Sequence, residues 1–211
     1  MIMKKIGLWL LKNNIHIMTL IFLAWAVWAV LNWQDIVLVQ KLALGMYAWL
    51  IVHEYEEGYK DRFLDLAAGR MLQIDYRALT PGVTHIAQAV YITVIFSLAI
   101  LFPGRLWLLL AVLILGILEG FVHNMGIILF QLKGVTPGWY TAVLMAAYAI
   151  WAIVVINRNI DYSGIQWLWG FLWFLFGFMC LEIIVHYLIG STPKKFIGKM
   201  KAFIGNRFGK K

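Results

Sequence analysis

The sequence predicts an all-α protein that folds inside a membrane: a polytopic helical bundle of about six transmembrane helices with both termini cytoplasmic. Three observations carry this expectation. Of 211 residues, 63% are hydrophobic and 13% charged, and the mean hydropathy is +0.82, which is more apolar surface than a water-soluble domain can hide. Apolar stretches of spanning length occur at 15–33, 36–58, 83–102, 105–132, 136–156 and 163–190. The basic residues are one-sided. Lys4, Lys5, Lys12, Lys60, Arg62, Arg70, Arg77, Lys133 and the seven of the tail (Lys194, Lys195, Lys199, Lys201, Arg207, Lys210, Lys211) fall on one face, leaving Arg105, Arg158 and Lys41 for the other. The positive-inside rule assigns the richer face to the cytoplasm of a cell membrane.

The elements follow in order. Lysines before the first apolar run resemble a signal peptide, but the run is long and lacks a small-residue cleavage site, so it reads as a retained span. The second span ends in His53-Glu54-Tyr55-Glu56-Glu57. Between 59 and 77, charges mix with Phe63, Leu64, Leu66, Met71, Leu72 and Ile74, as in a helix lying on the cytoplasmic surface, where it would anchor the chain or cover a site. Thr-Pro-Gly opens the third span at 80–82 and the fifth at 136–138. Threonine suits an N-cap and proline a first turn, so both copies read as helix-start chemistry. Trp9, Trp33, Trp107, Trp139 and Trp167 sit near span ends, as an aromatic belt requires. Residues 1–190 thus form one six-span domain. Residues 191–211 form a basic amphipathic tail, with Phe196, Met200, Phe203 and Ile204 at helical spacing among lysines. Anionic headgroups, not nucleic acid, are the natural partner of basic residues beside a span.

Ionisable groups inside these spans carry the functional reading. His53 lies roughly 10 Å from Lys60, His123 roughly 15 Å from Lys133 and His186 roughly 12 Å from Lys194, at 1.5 Å per residue. His85 stands about one turn into its span. Glu119 and His123, and Glu182 and His186, are four residues apart and share a helix face. His53, Glu56 and Glu57 fall within about 100° of arc, with Glu54 at one edge. Charge at membrane depth is costly and persists where it pairs, binds or lines a wet cavity. These groups share one depth, which favours a site over a conducting path. Imidazole with carboxylate suits Zn or Fe. The candidate ligands are His53, Glu56, Glu57, His85, Glu119, His123, Glu182 and His186, enough for one or two divalent ions. Glu54 and Glu57 are the candidate catalytic bases. The single cysteine, Cys180, excludes an internal disulfide and a cysteine-rich metal site.

His53-x-x-Glu56-Glu57, followed by Glu119-Gly-Phe-Val-His123-Asn124 and a histidine near the end of the last span, resembles the HXXEE family of multi-span bacterial membrane proteins. The resemblance implies a metal-binding membrane enzyme and marks His53, Glu56 and Glu57 as functional, without naming a substrate. The expectation is a metal-dependent membrane enzyme acting on a lipid or other hydrophobic molecule. Hydrolysis is slightly favoured over di-iron oxygenation, because several glutamates are left over as bases. The alternative is a transporter or channel for protons or metal ions. A third reading makes the Glu-His pairs mere ties between helices.

Overall fold

The computed structural model describes residues 2–58, 66, 69–70, 83–188 and 190–208, and every regular element among them is a helix. They are α1 (Ile2–Lys12), α2 (Asn14–Leu31), α3 (Leu38–Gly58), α4 (Val83–Leu101), α5 (Leu106–Phe130), α6 (Trp139–Asn159), α7 (Ile165–Leu188) and α8 (Pro193–Phe208). Four of these, α2, α5, α6 and α7, are long and apolar enough to cross a membrane. α3 has spanning length, but Lys41, Glu54, Glu56 and Glu57 dilute its apolar character. The apolar part of α4 runs from His85 to Leu101.

α1 was not expected as a separate element. The chain breaks at Asn13, where the Asn13 amide donates to Trp9 O (2.8 Å) and the Asn14 amide to Leu11 O (2.7 Å). Such side chains offer the backbone an alternative to continued helix. The surface segment expected at 59–77 lies outside the described residues, apart from Leu66, Gly69 and Arg70, as does the first Thr-Pro-Gly.

α5 is the axis of the bundle. Its apolar window is 61% buried, against 17% for α2 and α7, and Leu108 through Leu113 are all buried. A helix apolar on every side must be surrounded, and α3, α4, α6 and α7 all pack on it. The outer helices instead present Leu20, Val27, Leu172 and Phe176 outward, as lipid contact requires. The α5–α6 seam is closed by small residues. A Cβ on Gly120 would stand 2.7 Å from Ala146 Cβ and 3.2 Å from Ala142 O. Gly116, one turn earlier, makes room instead for Met46 of α3, whose methyl group a Cβ there would overlap.

Polar ties fix the remaining helices. Gln40 donates to Ile100 O (2.9 Å), Trp25 to Ser97 Oγ (3.1 Å) and Tyr148 to Leu42 O (3.1 Å). α5 ends at Gln131, a non-glycine residue in the left-handed region (φ 48°). Arg70 donates to the Phe130 carbonyl there (2.8 Å), a cation on the negative end of the helix. The chain then turns back through 131–138 into α6. The tail helix α8 lies against the same end, with Phe196 beside His186 (4.8 Å between rings) and Phe203 beside Phe130 (6.0 Å). α3, α5 and α7 therefore end where α6 begins, and the polar groups gather there.

Candidate metal centre

Three of the eight candidate ligands come together: His53 from α3, and Glu119 and His123 from α5. Their donor atoms all lie within 4.8 Å of one another, the one such group of three or more among the described residues. Glu119 Oε2 stands 3.8 Å from His53 Nε2 and 3.7 Å from His123 Nε2. These separations are too long for hydrogen bonds. They lie a few tenths of an ångström beyond the edges of a coordination shell, since bonds of about 2.0–2.2 Å at tetrahedral angles put donors roughly 3.3–3.6 Å apart, so an ion would draw the donors slightly together. The two rings meet edge to face at 5.0 Å.

The loop before α6 sets how the rings are presented. His53 Nδ1 lies 3.1 Å from Gly138 O and 3.0 Å from Thr141 Oγ1. A carbonyl only accepts, so Nδ1 carries the proton and Nε2 of the neutral ring offers its lone pair. That Nε2 is buried with no hydrogen-bond partner among the described residues. Thr136 Oγ1 is 2.9 Å from His123 Nδ1 and donates to His123 O at 3.4 Å. Its oxygen then accepts from Nδ1–H, and His123 Nε2 also faces Glu119 as a lone pair. Ligand histidines are commonly oriented this way, by a bond from the opposite ring nitrogen. Gly138 permits the approach. Its φ is +77°, and a Cβ there would sit 2.8 Å from His53 Cε1 and 3.1 Å from His123 Cε1.

Glu56 and Glu57 face different partners. Glu56 reaches the start of α6, accepting from Tyr140 N (3.3 Å), Thr141 N (2.9 Å) and Thr141 Oγ1 (2.5 Å). It anchors the threonine that in turn holds His53. Glu57 Oε2 lies 3.9 Å from His53 Nε2, on the border of the cluster. Glu54 accepts from Gln88 of α4 (2.8 Å). His85 is buried at the start of α4, outside the three-donor group. Glu182 and His186 form their own pair at 3.6 Å on α7, also outside it. The histidines of the cluster are at most 1% accessible, whereas the Glu119 side chain retains 23%. The centre is therefore closed behind the rings and open at the carboxylate.

One sequence expectation needs correction. Thr136-Pro137-Gly138 does not start α6 as a threonine N-cap with proline in the first turn. The N-cap is Gly138, without a side-chain cap bond, and the helix begins at Trp139. Thr136 instead serves His123, while Glu56 takes the helix N-terminus. Asn124, next to His123, donates to Gly120 O and accepts from Trp139, so it ties α5 to the start of α6. Thr136, Gly138 and Thr141 were not foreseen. The tripeptide marked their place, but its role depends on what packs beneath it.

Neither known family models, curated proteins nor solved structures contain a match to this chain.

Proposed function

We propose that the protein is a metal-dependent enzyme of the cell membrane, acting on a lipid or another hydrophobic molecule. The observation behind this reading is the convergence of two Nε2 lone pairs and one carboxylate, with both rings held from behind by the 136–141 segment. Two histidines and a glutamate suit one Zn or Fe(II), with a coordination position left for water or substrate. A single ion fits three gathered donors better than a pair does. The ion would supply Lewis acidity and lower the pKa of a bound water. Glu57, beside His53, is the base to receive that proton, which favours hydrolysis over oxygenation. Glu56 and Thr141 hold the His53 ring. In this reading α2 to α7 are six spans, both termini are cytoplasmic, the centre lies in the inner half of the membrane, and the His53-x-x-Glu56-Glu57 likeness to the HXXEE proteins is a family relationship.

Elemental analysis of detergent-purified protein tests this. About one equivalent of Zn or Fe is expected in the wild type, lost in His53→Ala and His123→Ala variants that remain folded. Absence of metal from the wild type, even after reconstitution with each ion, would remove the enzyme reading and favour proton transport.

A further inference from the structure

At the opposite end of α5, about 18 Å from Glu119 at 1.5 Å per residue, a groove of about 460 Å³ opens between α5 and α7. It is lined by Arg105, Trp107, Trp169, Leu172, Trp173 and Phe176. Its origin is local. Gly170 lets α7 come close to α5, since a Cβ there would meet Leu110 Cβ at 3.0 Å and Trp107 O at 3.1 Å. The large rings flanking that contact cannot approach as closely. Trp107 and Trp173 cross edge to face at 5.8 Å, and the space between the rings and the helices stays open.

The chemistry of the groove is graded along the bundle axis. Arg105 stands at its head as the N-cap residue of α5. No carboxylate pairs with it among the described residues. The positive end of a 25-residue helix adds to its charge. Below it run Trp169, Leu172 and Phe176, all exposed to the surroundings of the bundle. From Trp169 to Phe176 the wall descends roughly 10 Å. The Trp173 indole N–H, in the same wall, has no acceptor among the described residues. Lys41, another cation on the sparsely charged face, is covered by the Trp33 ring at 4.6 Å.

We infer that this groove binds one acidic phospholipid, with its phosphate against Arg105 and the α5 N-terminus and an acyl chain along Trp169, Leu172 and Phe176. Guanidinium is suited to phosphate by its planar set of donors. Aromatic and aliphatic walls exposed at membrane depth are covered by acyl chains. A wholly apolar groove would take any lipid, and the unpaired cation at its head selects for a negative headgroup. The inference is independent of the metal centre.

The test is native mass spectrometry of the full-length protein from micelles, offered phosphatidylglycerol and phosphatidylcholine of matched chains at equal concentration. The wild type is expected to retain one phosphatidylglycerol with about tenfold preference. Arg105→Gln should abolish the preference, and Leu172→Trp, which fills the groove, should remove the retained lipid. The basic tail also attracts anionic lipid. A variant with Lys194, Lys195, Lys199 and Lys201 changed to Gln should therefore still hold the tight lipid, as should Arg158→Gln. Unchanged preference in Arg105→Gln, or loss of the lipid in the tail variant alone, would overturn the assignment.

Discussion

Glu56 contributes no atom to the three-donor group, yet it fixes the ring that does. Its carboxylate accepts the hydrogen bond that the Thr141 hydroxyl donates, which leaves Thr141 Oγ1 to accept from His53 Nδ1–H. Glu56→Gln turns one of these acceptors into a donor. It is expected to weaken metal binding about 10- to 100-fold, as loss of a ligand-orienting group does. Thr141→Val should behave alike. The double variant should be no weaker than the worse single variant, because both act through one chain of bonds. Competition with a chelator of known affinity measures this. Glu57→Gln should keep the metal and lose turnover, a distinction that separates a base from a ligand. Gly138→Ala combines left-handed backbone with a Cβ 2.8 Å from His53. It should cost about 1–3 kcal/mol of stability and reduce metal content together, measured by thermal unfolding and elemental analysis. At this scale the sequence was half legible. The i, i+4 spacing placed Glu119 with His123 on one face of α5. It did not reveal that Glu56 turns toward α6 while Glu57 stays by His53. Both lie on the same broad arc of α3, and the choice is made by the partner 85 residues away.

At the scale of elements, α5 and α6 act as one unit. Gly120 lets their axes come together, and the 131–138 turn then reaches back over His123. Gly120→Val should force Ala142 and Ala146 away, displace the turn and lower both thermal stability and metal affinity. An equivalent change at Gly104, where a Cβ meets nothing, should do neither. Apolar length made the helices themselves easy to foresee. The role of Thr136-Pro137-Gly138 was not, because a tripeptide suited to a helix start says nothing of the imidazoles beneath it. The break at Asn13 was missed for a related reason: two asparagines among apolar residues do not disturb hydropathy, but their amides capture backbone carbonyls.

Across the whole molecule, the pattern of exposure follows the solvent that each helix meets. Apolar side chains face outward on α2 and α7, while α5 is enclosed. The distribution of basic residues leads to a topological expectation: reporters fused after residue 211 and within 131–135 should be cytoplasmic, and one within 160–164 should not. Because the donors come from α3 and α5, an ion should also hold those helices together. At 100 times its dissociation constant it should add about 2.7 kcal/mol to stability. Chelation should therefore lower the unfolding temperature of the wild type and leave that of His123→Ala unchanged. Composition foretold the membrane character and the apolar stretches. It could not foretell which of eight ionisable groups would converge, since that depends on how the helices rotate against one another.

The centre is also split along the chain, with His53 and Thr141 separated by 88 residues. During synthesis at about 5–20 residues per second, α3 emerges roughly 4–18 s before the threonine that orients its histidine. For that interval a helix bearing three glutamates has neither its hydrogen-bonding loop nor its partner ligands. It is poorly suited to entering lipid alone. Biogenesis should therefore hold α3 at the insertion machinery until the α5–α6 hairpin arrives, and capture of an ion would mark the chain as fully assembled.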